Sequence, residues 1–216
     1  MALSDAQIDR FSRQIILPQI GGRGQERLLR ASIALAGEGE LAELSALSLA
    51  GAGIGRIALH GSAGAALGDD LVDLHPDLQV TLATGALGST DADVLVACDL
   101  PPTELNRAGR AGRPLVAGGL IDDGGWLVSA GTCAVCAARQ ARREVREPVS
   151  AAAREGPGRS ATTGVIASLI ALVVLKLRLD LPAPAHGTWL RFDAPASALT
   201  ERPLPRTADC AVCAAS

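Results

Sequence analysis

The tetrapeptide Cys133-Ala-Val-Cys136 returns late in the chain as Cys210-Ala-Val-Cys213. A C-x-x-C turn lets both thiolates point at one ion, and two such turns supply the four sulfurs of a closed tetrahedral zinc site. The competing use of each pair, a disulfide or redox couple, suits an oxidising compartment better than a reducing one. The expectation is zinc held by Cys133, Cys136, Cys210 and Cys213. With no position left open for water, the ion is structural and fastens the C-terminal end of the fold. The fifth cysteine, Cys98, closes the apolar run DVLVAC and reads as an inert core thiol.

The second constellation is LAGEGELA, residues 35–42, where small residues after an apolar run are spaced as G-x-G-x-x-A. Such a turn holds phosphate on backbone N–H groups at the positive end of the following helix, which makes Gly37 and Gly39 the candidate contacts. Glu38 and Glu40 stand inside it. Unit charges ~4 Å apart repel by about 4 kcal/mol at an effective dielectric of 20, so carboxylates facing a polyanion oppose it strongly. The ordinary alternative for Glu40 is a helix-start residue pointing to solvent. His60, His75 and His186 form no matching constellation and read as solvated or locally hydrogen-bonded.

These residues need a scaffold. With 216 residues, 48% hydrophobic and 2% aromatic, the chain suffices for one α/β domain whose core is Ala, Leu and Val. The formal charge of −3 gives no net pull toward nucleic acid or anionic lipid, so neither is expected as a partner. Lys176 is the only lysine among twenty basic residues. The N-terminus has acidic residues and no apolar leader, so a cytoplasmic protein is expected. The most apolar run, Gly164 to Leu175, falls short of the ~20 residues of a membrane span and reads as a buried helix.

The opening SDAQIDRFSRQIIL predicts a helix capped by Ser4, broken by LPQIGGRG. Residues 31–37 predict a strand, followed by the turn and a helix through LAELSALSLAGAG. RIALHG, LQVTLAT and DVLVAC predict further strands, with SAGAALGDD as a loop and a short helix from Asp70 to Leu74. A helix near 103–111 leads to PLVAGGLI and GWLVSAG. Beyond Cys133 come an Ala- and Arg-rich helix, the connection EPVSAAAREGPGRSATTG, the apolar helix and a pair GTWLRFD and ALTERPL. Alternating strands and helices imply a Rossmann-like, doubly wound α/β fold with a mostly parallel sheet, helices on both faces and later strands antiparallel. The expected organisation is a single domain over 1–216: an N-terminal helical segment 1–30, a Rossmann-like core 31–131, and a zinc-binding C-terminal part 132–216.

The run DRFSRQIILPQIGGRGQERLLRASIALAG, then LAGAGIGRIALHG, PLVAGG, the two C-x-x-C pairs and the closing TWLRFDAPASALTERPLPRTADCAVC resemble the ThiF/MoeB/HesA family, bacterial relatives of ubiquitin-activating enzymes. The resemblance implies a dimeric domain that binds ATP and magnesium, adenylates the C-terminus of a ubiquitin-like sulfur carrier or a peptide, and holds zinc in its cysteine pairs. It implies a role for Arg13, in the RQ segment, reaching the nucleotide site of the neighbouring subunit. It also implies that Asp99, after the fourth strand, helps hold magnesium. Guanidinium suits the first task because its planar fork binds phosphate oxygens in pairs.

The departures from the family gather at the nucleotide. Gly37-Glu38-Gly39-Glu40-Leu41-Ala42 stands where members have G-x-G-G-L-G, and strand two ends in His60-Gly61 rather than an acid that grips ribose. The S-N-L-x-R-Q segment and its downstream lysine are absent, and residues 147–164 contain no cysteine for covalent transfer. Two readings follow. One is a non-adenylating member, acting as a homodimer or as a heterodimer partner of an active relative, or docking a small ubiquitin-like carrier protein. The other is an active ATP-dependent adenylyltransferase that rebuilds its phosphate contacts from Arg56, Arg107, Arg110 or Arg113. The first is favoured, since three losses at one site are hard to rescue together. A nicotinamide-dependent oxidoreductase rests on the glycine spacing alone and lacks the acidic partner.

Overall fold

The computed structural model describes residues 3–61, 64–121, 124–130, 136, 157–182, 188–203 and 210. Helix α1 (Asp5–Ile15) begins as the sequence predicts. Ser4 Oγ accepts the Gln7 N–H at 3.3 Å while Gln7 Oε1 accepts the Ser4 N–H at 3.0 Å, a reciprocal capping box. The chain then turns through residues 17–20 and resumes as α2 (Gly21–Arg30). The glycines read as a breaker therefore lie inside a helix. Gly24 is there for close approach, because a Cβ on it would stand 3.1 Å from Leu179 and 3.2 Å from Ile20.

Strand β1 (Ser32–Ala36) leads into α3 (Glu40–Gly51), and β2 (Arg56–His60) into α4 (Gly64–Leu74). Helix α4 starts six residues earlier than the Asp70–Leu74 stretch read from sequence, since the small residues GAALG join it. β3 (Gln79–Ala83), a 3-10 turn (Leu87–Ser89), β4 (Val94–Cys98) and α5 (Pro102–Gly109) follow. β5 (Leu115–Ile121) and β6 (Gly124–Ala130) come next, then α6 (Pro157–Arg178), β7 (Thr188–Asp193) and β8 (Ala198–Pro203).

All eight strands share one sheet, ordered β3-β2-β1-β4-β5-β6-β7-β8. The first five run parallel, with Ile33 beside both Ile57 and Val94 and Leu95 beside Leu115. From β5 to β8 each neighbour is antiparallel. Alternation along the strands sorts the core into two faces. Ile33, Leu35, Val94 and Val96 pack with α3 and α6 residues, whereas Ala34, Ala36, Leu95 and Ala97 join Leu105, Trp126 and Trp189 on the other side. The two tryptophans stack at 5.5 Å, which concentrates much of a scarce aromatic content on the antiparallel half.

Helix α6 runs longer than the apolar run read from sequence, because residues 157–163 of the expected connection are its first turns. It is the one described helix long and apolar enough to cross a membrane by length and composition. Here it is a core helix: Ile166, Ile170, Val173 and Val174 are buried against α3, β5 and β6. Gly118 admits it, since a Cβ there would stand 2.8 Å from Ile170 Cδ1. The expected Ala- and Arg-rich helix after Cys133 and the connection at residues 147–156 fall outside the described residues.

Candidate functional site

The strand order reverses between β1 and β4, and an open α/β sheet leaves a crevice at the carboxyl ends of its strands there. A cavity of about 440 Å³ occupies that position. Its walls are Ala36 to Glu38 after β1, His60 and Gly61 after β2, Gly85 and Leu87, and Cys98 to Pro101 with Glu104 after β4. A neighbouring hollow of about 300 Å³ shares Gly85, Leu87 and Glu104 and adds Ala86, Arg107 and Ala108.

The glycine turn has the expected path, and its two glycines do different work. Gly37, at φ 149°, lies against the end of β4, where a Cβ would be 2.5 Å from the Cys98 carbonyl oxygen and 2.7 Å from Cys98 Cβ. Gly39, at φ 73°, caps α3 without a side-chain hydrogen bond, and open space surrounds the point where its Cβ would stand. The two glutamates also divide. Glu38 lines the cavity, whereas Glu40 Oε2 accepts a hydrogen bond from Ser160 Oγ of α6 at 3.4 Å. Glu40 is exposed in the first turn of α3, as the helix-start reading expected, and does not line the cavity.

Asp99 reaches the cavity wall with a left-handed backbone, φ 52°, and its Oδ1 accepts the Leu120 N–H at 2.8 Å. One carboxylate oxygen of the candidate magnesium residue thus ties β4 to β5. His60 is fixed from both sides. Its Nδ1 lies 3.2 Å from the Gly85 carbonyl and so carries the proton, while Nε2 accepts from Thr90 Oγ1 at 2.8 Å. It is locally hydrogen-bonded, as read from sequence.

Cys98 is fully buried, with Sγ 3.7 Å from Ser45 Oγ, and burial pushes its thiol up to about 12. At pH 8 only about one molecule in ten thousand would carry the thiolate that reacts with electrophiles. Alkylation with iodoacetamide followed by mass spectrometry should label Cys98 about a thousandfold more slowly than an ordinary exposed thiol. Labelling of Cys98 within minutes would contradict its place in the core.

The structure separates the remaining site residues. Arg13 is exposed in the last turn of α1. That helix lies across the starts of β2 and β3: Phe11 abuts Gly53, and Gln7 Nε2 donates to Asp77 Oδ2 at 3.0 Å. The cavity lies beyond the opposite ends of the same strands, about 16 Å away for five residues. Arg13 therefore does not serve the cavity of its own chain. Arg56 also lies at the far end, donating to the Arg30 carbonyl at 2.9 Å, as does Arg113, bound to the Ala92 carbonyl at 2.7 Å and Asp91 at 2.8 Å. Arg110 caps α5 and is exposed, and Arg107 lines the smaller hollow. Of the metal candidates, Cys136 and Cys210 are both buried, at 3% and 0% exposure. Cys133 and Cys213 lie outside the described residues, as does His186. Among the described residues no group of three or more His, Cys, Asp or Glu converges as a metal site.

A parallel sheet ordered 3-2-1-4-5, with a glycine turn and a crevice at its switch point, defines a doubly wound domain of the nucleotide-binding type. The chain belongs to the ThiF/MoeB/HesA family. It is 33% identical to the adenylyltransferase and sulfurtransferase MOCS3 of Aedes aegypti over 98% of this chain and 56% of that protein. It is 28% identical to the sulfur carrier protein ThiS adenylyltransferase of Escherichia coli, over 99% of this chain and 98% of that one. The chain spans about half the length of the MOCS3 relatives it matches. No family model matches it. Among solved structures, E. coli MccB with ATP superposes with a TM-score of 0.72 at 17% identity, over 97% of this chain and 74% of that one. PaaA does so at 0.69 and 16%, over 94% and 84%. At such identities these likenesses carry the fold alone.

Proposed function

We propose that this chain is a member of its family that has given up adenylation and works as a dimer partner or carrier-binding scaffold. The observation that carries the proposal is the charge of the cavity wall: Glu38, Asp99 and Glu104 line it, and among the described residues no Lys or Arg does. A triphosphate with magnesium fits this set poorly. Each carboxylate held ~4 Å from a phosphate charge costs about 4 kcal/mol at an effective dielectric of 20. His60 adds no acceptor for ribose hydroxyls, because its ring is already engaged by Gly85 and Thr90. The carrier, on this reading, is a small sulfur-carrier or ubiquitin-like protein of the kind named for the E. coli relative, and Arg13 is offered to the site of the partner subunit.

The donor chemistry of the cysteines fits a structural zinc. Thiols from two separated C-x-x-C pairs are both withdrawn from water, and such buried sulfur suits a four-thiolate ion. Cys133, Cys136, Cys210 and Cys213 would hold it, and its contribution is to folding rather than chemistry.

The competing reading, an active adenylyltransferase, draws on Arg107 in the adjoining hollow and on the open approach at Gly39. Isothermal titration of zinc-loaded protein with Mg-ATP separates the two. No binding tighter than about 1 mM is expected, whereas a micromolar dissociation constant would reverse the assignment.

A further inference from the structure

One buried titratable group belongs neither to the cavity nor to the cysteine pairs. His75 follows α4 and is 1% exposed. Its backbone N–H donates to the Leu71 carbonyl at 3.0 Å and its carbonyl accepts from Leu78 at 2.9 Å, yet neither ring nitrogen has a hydrogen-bond partner. This corrects the sequence reading of a solvated or locally bonded histidine. The ring is covered by α1, whose Phe11 meets it edge-on with centroids 5.5 Å apart and planes at 85°. Phe11 is the only buried residue of α1, while Ile8 and Ile16 on the same helix are 44% and 76% exposed. The helix is thus anchored by one aromatic side chain, the Gln7–Asp77 hydrogen bond and its packing on α2. An element held by so little buried surface opens locally at low cost.

A neutral imidazole under that cover leaves one donor and one acceptor unmet. A protonated one leaves two donors and a charge unmet, which is far worse. The charged groups facing the ring oppose each other: Asp77, two residues on, favours the cation, and Arg10 of α1 disfavours it. Burial outweighs both and holds the ring's ionisation below the ordinary histidine range. The turn before β2 brings Gly53 to the same phenyl ring and α2 brings Gln25 to Gly53, and neither carries a charge.

We propose that His75 is the pin of a pH-sensitive latch, which when neutral lets α1 close over the starts of β2 and β3 and when protonated releases α1 together with Arg13. The latch stands whether or not the cavity takes a nucleotide. With α1 open the ring recovers its ordinary value of about 6.5. Opening therefore takes up a proton between that value and the lower one of the closed state. The closed state is favoured above pH 6.5 and loses up to tenfold in its closing equilibrium for each unit below it, until the closed-state value is reached.

Hydrogen exchange with mass spectrometry on the whole zinc-loaded chain, at pH 7.5 and 5.5, tests this after correction for intrinsic rates and with zinc retention checked. Peptides spanning residues 5–15 should lose protection at pH 5.5, by up to about tenfold, while those of β1 and β4 hold theirs. His75→Phe, or His75→Gln if the first does not fold, should make α1 protection independent of pH. In the wild type, the His75 ring resonances should titrate over the interval in which α1 opens. Unchanged α1 protection in the wild type overturns the latch. So does a loss that persists in either variant, or a ring that stays neutral while α1 opens.

Discussion

On the proposed four-cysteine assignment, removing zinc from the folded protein, or replacing Cys210 by serine, is expected to lower the melting temperature by about 10 °C or more. In a chain of this size that corresponds to roughly 4 kcal/mol, at about 2–4 °C for each kcal/mol. The size of the effect follows from where the sulfurs are. Cys210 is completely buried although it lies close to the C-terminal end of the sequence, and Cys136 is nearly so. Thiolates as buried as those of Cys136 and Cys210 cannot stay charged there without an ion. The site would either take up protons or come apart, and the binding free energy of a structural zinc is folding free energy. Chelator-treated wild type and Cys210→Ser should melt together, and the variant should be insensitive to chelator. Metal analysis should give one zinc per chain before treatment. Cys98→Ser should keep its zinc, because Cys98 sits in β4 beside Ser45 and belongs to the core. A melting point unmoved by chelation, with well under one ion per chain, would falsify the four-cysteine assignment.

The parallel half of the sheet was legible because its strands are short apolar runs ended by glycine or a charged residue, and DVLVAC or RIALHG can be little else. What escaped were helices written in small residues. GGRG looks like a break until Gly24 is seen to admit Ile20 and Leu179, and the start of α4 looks like a loop for the same reason. Local propensity reads such glycine as flexibility, whereas packing uses it as absence of bulk. The site was legible in composition and not in direction. That Glu38, His60 and Asp99 belong to the ends of β1, β2 and β4 follows from spacing. That Ser160 donates to Glu40 depends on how α6 lies against α3, which no local pattern carries. His75 was missed because its cover, Phe11, comes from α1, far earlier in the chain. The helix itself was visible in SDAQIDRFSRQIIL, but not what Phe11 would cover.

Gly37→Ala is expected to destabilise the fold much more than Gly39→Ala, although both belong to the same G-x-G turn. At Gly39 the penalty is backbone strain alone, about 1–3 kcal/mol for a side chain at φ 73° and ψ −167° with open space around it. At Gly37 the new methyl also meets the Cys98 carbonyl oxygen at 2.5 Å, in a strand with β1 and β5 on its two sides and no room to retreat. Overpacking of that kind adds at least about 2 kcal/mol. Urea unfolding of the two variants side by side measures the difference, and equal losses would mean that β4 yields more easily than its burial implies. The contrast bears on how the turn should be understood. A glycine that exists for a ligand can be lost when the ligand is lost. Gly37 cannot, because the end of β4 would collide with anything larger. The motif is therefore retained by folding whether or not phosphate ever enters the crevice, and it carries little information about the ligand. The other residues that line the crevice carry more. At position 38, which lines the crevice, there stands a glutamate.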